Sequence, residues 1–84
     1  MSGVMITVRV KLYATLRDHY PDLRIGEAMG VALPAGATVG QLIQQLALPD
    51  GQAKILFVNH VIRGEDHQLE DGDMVAIFPP VGGG

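Results

Sequence analysis

Only one stretch of the chain reads as a long amphipathic helix, and that limits what the rest can fold into. Thr38 can cap the first amide groups, and Gln41 three residues on completes a capping box. Val39, Leu42, Ile43 and Leu46 recur at i, i+3, i+4 and i+7, which puts them on one helical face. The helix must end by Leu48, because Pro49-Asp50-Gly51 cannot continue it. The other patterned segments have strand character. In residues 4–13, Val4, Ile6, Val8, Val10 and Leu12 share one parity while Thr7, Arg9, Lys11 and Tyr13 share the other. Such alternation is the mark of a strand with one wet face. Met5 breaks the polar parity and offers an alternative start behind a short extension. Residues 14–20 fit a turn or two of helix stopped at Pro21, residues 22–30 read as loop, and Met29, Val31 and Leu33 alternate up to Pro34. That makes a first hairpin with a long connection. The apolar run 55–58 suits a strand inside a sheet, Val61-Ile62 a brief further strand, and residues 74–78 a closing strand after the turn signal Asp71-Gly72-Asp73. Gly64 and Gly72 suit turns that need a positive φ. One helix among four or five strands makes an α+β roll with the helix lying across the sheet.

With 84 residues the chain is expected to hold one domain, residues 1–78, followed by a tail, residues 79–84. It contains no cysteine, which excludes a disulfide framework, a thiolate zinc site and catalysis by its own thiol. Its net charge is −3 and its six cations, Arg9, Lys11, Arg17, Arg24, Lys54 and Arg63, are scattered, so nucleic acid is not an expected partner. No apolar run approaches the roughly 20 residues of a membrane span, and the first residues lack the pattern of a signal peptide. The expected location is cytoplasmic, with no membrane partner. His19, His60 and His67 carry no metal-ligand spacing, so no metal site is expected and loop positions are the simpler reading. Gly26, Gly30, Gly36 and Gly40 lack the context of a nucleotide-binding loop. Glu65-Asp66 and Glu70-Asp71-Asp73 read as a solvated turn region, Met29 and Met74 as packing residues.

The ending is unlike the rest. Pro79-Pro80 stops sheet pairing and stiffens the exit, and Val81-Gly82-Gly83-Gly84 follows. Three glycines carry the largest ordering entropy of any residue and supply no packing. One reading is a frayed terminus or an incidental linker. The other is a tether about 20 Å long that offers the Gly84 carboxylate to a narrow tunnel. Two features favour the second: the prolines direct the tail, and the glycines stand at the end, where a linker would have something to connect.

The run Phe78-Pro79-Pro80-Val81-Gly82-Gly83-Gly84, preceded by residues 69–77 (LEDGDMVAI), resembles the C-terminal signature of the MoaD/ThiS-type ubiquitin-like sulfur carriers, and above all that of molybdopterin synthase small subunits. Val58-Asn59 and residues 12–17 (LYATLR) fit the same family, and Gly83-Gly84 match its terminal pair with Gly82 at the variable position. The departures are a few extra N-terminal residues and the segment 49–54. This resemblance implies the β-grasp fold, with a mixed sheet of four to five strands. It implies that a ubiquitin-activating-enzyme-like adenylyltransferase uses ATP to adenylate Gly84 and that a persulfide sulfurtransferase, as sulfur donor, converts it to a thiocarboxylate. The tail, Gly82, Gly83 and Gly84, then enters the molybdopterin synthase large subunit and gives its sulfur to a pterin precursor in molybdenum or tungsten cofactor biosynthesis. No cofactor would be bound stably by the chain itself, and the general acids and bases would lie on the partner enzymes. By the same resemblance Phe78, Pro79, Pro80 and Val81 would contact a partner, although strand parity alone leaves open whether Phe78 faces the core. Rival readings are a carrier for thiamine, cysteine or tRNA thiolation, and a non-covalent β-grasp binding module with an inert tail.

Overall fold

The computed structural model describes residues 3–24, 26–48, 53 and 55–80. Strand β1 (Met5–Leu12) is followed by a 3-10 segment (Ala14–His19), β2 (Met29–Pro34), helix α1 (Val39–Gln45), β3 (Ile55–Val58), β4 (Val61–Ile62) and β5 (Met74–Phe78). The strands form a five-stranded sheet in the order β2-β1-β5-β3-β4. The first and last strands, β1 and β5, are parallel neighbours at its centre, and the other pairs are antiparallel. The sheet is therefore mixed, as the family resemblance implies, and it carries one main helix, as the sequence pattern predicts.

Period two sorts the strands. Ile6, Val8, Val10 and Leu12 of β1, Val31 and Leu33 of β2, Leu56 and Val58 of β3, and Val75 and Ile77 of β5 are buried on one face. Val39 and Leu42 of α1, with Leu46 just beyond it, join the same core, and Ile43 is half-buried against it. Val4 shares the inner parity but lies ahead of the sheet and is 72% exposed. The core also takes Leu16, Ala37, Leu48 and Leu69, which no strand or helix periodicity marks.

The helix begins as its sequence dictates. The Thr38 amide donates to Gln41 Oε1 (2.8 Å), and the Gln41 amide donates to Thr38 Oγ1 (3.3 Å), closing the capping box. The next free amides, of Val39 and Gly40, donate to the carbonyls of His67 and Glu65. Gly40 permits this approach, since a Cβ there would lie 3.3 Å from the Glu65 carbonyl oxygen. The helix stops at Gln45, and Ala47 takes the left-handed conformation (φ 58°) that usually belongs to glycine after a helix. Pro49, Asp50 and Gly51 lie outside the described residues. Beside the helix end, the Tyr20 hydroxyl donates to the Leu46 carbonyl at 2.7 Å and ties the 3-10 segment to α1.

The turns divide differently from the sequence expectation. Gly72 has φ +86°, as expected, and its amide donates to the Thr7 carbonyl. Gly64 does not adopt a positive φ; a Cβ there would lie 3.0 Å from Asp66 Oδ1, so closeness and not handedness favours glycine. The tight turn between β3 and β4 falls instead on Asn59 (φ 51°) and His60 (φ 72°). Asn59 fastens that turn to the start of β5. Its amide donates to the Met74 carbonyl, its Oδ1 accepts from the Met74 amide, and its Nδ2 donates to Asp73 Oδ1. Asp71 and Asp73 are thus more than solvated charge: Asp71 Oδ1 accepts from the Thr7 amide, and Asp73 Oδ2 from that of Glu70.

Two substitutions test this description. Ala47→Gly removes a left-handed alanine and is expected to raise stability by about 0.5–1 kcal/mol, read as a higher urea midpoint. Asn59→Ala loses two side-chain hydrogen bonds and puts a residue poorly suited to the left-handed conformation in the turn, and is expected to cost about 2 kcal/mol.

Candidate functional site

With α1 on one face, the opposite face of the sheet is left to water. Thr7, Arg9 and Lys11 of β1 lie on it, as do Ile55 and Phe57 of β3, Ile62 of β4, and Met74, Ala76 and Phe78 of β5. This settles the position of Phe78. It is the last residue of β5, half-buried, and on the open side, while its neighbour Ile77 is fully buried in the core.

Phe78 does not stand alone there. The Tyr13 ring stacks on it with centroids 4.3 Å apart and planes 9° from parallel, and Phe57 meets it edge-on at 5.7 Å and 73°. Backbone pairing brings these rings together. The Tyr13 amide donates to the Ile77 carbonyl just past β1, and Phe57 lies opposite Ala76 on β3. Three of the four aromatic residues of the chain therefore meet where β5 leaves the sheet; the fourth, Tyr20, serves the helix end. Such contacts supply about 0.5–1.5 kcal/mol per pair beyond area burial, enough to hold the rings in place on an otherwise wet surface.

The chain then leaves the sheet. Pro79 is half-buried and Pro80 is exposed, and neither is in a strand. Val81, Gly82, Gly83 and Gly84, to which the sequence assigns partner contact, tunnel entry and sulfur carriage, lie outside the described residues. What the structure brings together is the root of the tail: Phe78 and Pro79 with Tyr13, Phe57 and the strands beneath them. The sequence reading missed Tyr13 and Phe57 as companions of Phe78. The scarcity of aromatic residues was the available signal.

Among the described residues no polar or charged side chain is buried, and no group of three or more His, Asp or Glu side chains is placed to hold a metal ion. His19 and His67 do not line the hollow beside the aromatic cluster, whereas exposed His60 stands at its margin. No helix among the described residues is long and apolar enough to cross a membrane. What this face offers is an open aromatic cluster beside the point where the chain leaves the sheet.

A β-grasp sheet with a tail leaving its central strand defines a ubiquitin-like class of protein, and comparison with known proteins narrows it. The sequence profile of the ThiS family matches residues 10–84, and the chain belongs to that family. Over 39 residues it is 54% identical to the molybdopterin synthase sulfur carrier subunit of Escherichia coli (strain K12). That match takes in 46% of this chain and 47% of the relative, so it spans about half the length of the curated protein. Among solved structures, a putative molybdopterin converting factor, subunit 1, from Pyrococcus furiosus superposes with a TM-score of 0.70 at 29% identity, covering 90% of this chain and 99% of that one. The ubiquitin of Caldiarchaeum subterraneum superposes with a TM-score of 0.60 at 14% identity, over 96% of this chain and all of that one, a likeness of fold alone.

The two faces of β5 should respond differently to truncation. Ile77→Ala is expected to cost about 2–5 kcal/mol of stability, whereas Phe78→Ala, which opens no core cavity, should cost about 1–2 kcal/mol. Urea denaturation of both variants checks the ordering; equal losses would place Phe78 in the core.

Proposed function

We propose that the chain is a sulfur carrier that works as the small subunit of molybdopterin synthase. The observation that supports this most is the family match, which runs through the Phe78-Pro79-Pro80-Val81-Gly82-Gly83-Gly84 segment to residue 84. The 54% identity to a sulfur carrier subunit and the likeness to a converting-factor subunit point the same way.

The proposed chemistry follows from what a glycine carboxylate needs. A carboxylate is a poor electrophile, so a ubiquitin-activating-enzyme-like adenylyltransferase first joins it to the AMP moiety of ATP, releasing pyrophosphate. The acyl-adenylate has a good leaving group: the outer sulfur of a persulfide-class donor attacks the acyl carbon and expels AMP. A second thiol then reduces the resulting acyl disulfide, leaving the donor oxidised as a disulfide and releasing the Gly84 thiocarboxylate. Without side chains at Gly82, Gly83 and Gly84, the acyl carbon is open to approach and the tail passes through a narrow tunnel. In the large subunit of the synthase the thiocarboxylate sulfur bonds to the pterin precursor, and water then cleaves the acyl–sulfur bond, leaving sulfur on the pterin and restoring the carboxylate. The chain is then a co-substrate, with no cofactor of its own, and the acids and bases belong to its partners. Docking of those partners rests on Phe78, Pro79, Pro80 and Val81, and the Tyr13–Phe78–Phe57 cluster extends that surface across the sheet. Apolar anchors of this type concentrate binding energy at interfaces.

Intact mass after incubation with ATP, the activating enzyme and a sulfur donor is expected to show one oxygen exchanged for sulfur, located in the C-terminal peptide. The exchange should vanish on deletion of Gly84, and Gly83→Leu should abolish sulfur transfer; neither change should alter the urea midpoint. Transfer that survives Gly83→Leu would refute the role of the tail. A thiocarboxylate that forms but converts no pterin precursor would move the carrier to another thiolation pathway.

A further inference from the structure

The open face is not uniformly filled. At its centre Ala76 stands between Lys11 on β1 and Phe57 on β3, with Met74 and Phe78 on either side of it along β5. All four neighbours are long and Ala76 ends at Cβ, so the missing side chain leaves a hollow of about 250 Å³. Its floor is Ala76 and its walls are aromatic or aliphatic. Its polar margin carries Lys11 and His60, and the three carboxylates nearest in sequence, Glu70, Asp71 and Asp73, do not line it. Asp71 and Asp73 are engaged by backbone amides, and Asp73 also by Asn59. The strand positions of this face carry two cations, Arg9 and Lys11, and no carboxylate, although the chain as a whole is acidic.

His60 adds a second sign. It holds a left-handed conformation (φ 72°) in the second position of a two-residue hairpin turn, a place suited to glycine. Backbone strain of this kind persists where the side chain has a use. Here the residue lies at the margin of the hollow.

We propose that the Ala76 hollow is a binding site for an apolar side chain with an adjacent carboxylate on a partner protein, the apolar group seated over Ala76 and the carboxylate met by Lys11 and His60. The charge pattern selects that occupant: a cationic partner group would find no anion on this face, and a purely apolar one would bury the Lys11 ammonium without a counter-ion. The carrier reading makes this face a docking surface, and the proposal rests on that reading for the partner, though not for the chemistry of the hollow.

The test separates the two. The full chain, labelled with nitrogen-15, is titrated with 3-phenylpropionate and, in parallel, with 2-phenylethylamine, an aromatic probe of similar size and opposite charge. The expected result is saturable, millimolar binding of the carboxylate, seen as amide shifts around Lys11, Phe57, Ala76 and Phe78, and at least five-fold weaker binding of the amine. Ala76→Ile should fill the hollow and abolish the shifts without lowering stability, since that site faces solvent. The Lys11→Ala/His60→Gly double variant should bring the two probes to similar affinity, and His60→Gly alone should raise the urea midpoint. Equal or tighter binding of the amine, unchanged carboxylate preference in the double variant, or no saturable shift with either probe would overturn the proposal. None of these outcomes depends on sulfur transfer, which the mass measurement reads separately.

Discussion

The parallel pairing of β1 with β5 is the contact on which the rest of the molecule depends. Arg9 through Leu12 align with Met74 through Ile77, so the ladder joins segments near opposite ends of the chain. Every other element lies between them in sequence and must be placed before or around that pairing. Contacts of such long range cost loop-closure entropy before they return any stability. The Thr7 backbone, held by Asp71 Oδ1 and Gly72, and the Arg9 amide, held by the Asp73 carbonyl, guide β5 into register at its start. Asn59 does the same from the other side through Met74. The closing strand is thereby fixed by both neighbours before it reaches Phe78.

That central position decides the character of the exit. A tail leaving an edge strand would inherit the mobility of the edge, and here the edges are slight: β4 has two residues, and the Ala32 carbonyl of β2 is taken by Gln45 Nε2 of the helix. Short or capped edges also discourage strand addition by other chains. Leaving from the middle, the tail starts from a ring cluster whose members sit on three adjoining strands or their ends. Among the described residues one seven-residue helix covers one face, and the other carries the ring cluster. The one-sided build that makes the core small is also what leaves the proposed docking surface beside the tail.

Much of this was legible in the residues. Alternation in β1, the Thr38–Gln41 box and the apolar face of α1 each report a local rule, and local rules survive in sequence. The order of elements follows from them, and the family signature supplied the rest of the topology. Other features were illegible because they depend on residues distant in the chain. Leu16 and Leu69 are buried without periodicity, since one plugs the core from the short 3-10 segment and the other from a loop. Asp71 and Asp73 look like surface charge until the backbone amides of Thr7 and Glu70 are seen beside them. Parity placed Phe78 with Met74 and Ala76 but could not say which face the helix covers. Gly64 shows the reverse error: a glycine suggests a left-handed turn, while Asn59 and His60 take that conformation without one.

The parallel sense of β1 and β5 has a practical result for anyone attaching cargo to this molecule. Two antiparallel terminal strands would bring both attachment points to one rim. Here Met5 opens β1 at the rim opposite to that where Tyr13 stacks on Phe78, and the seven strand steps from Met5 to Leu12 alone span about 23 Å. A fluorophore, purification handle or whole fused domain placed ahead of Met5 therefore hangs from the far side, clear of the exit. The same cargo added behind Pro80 would occupy the route itself.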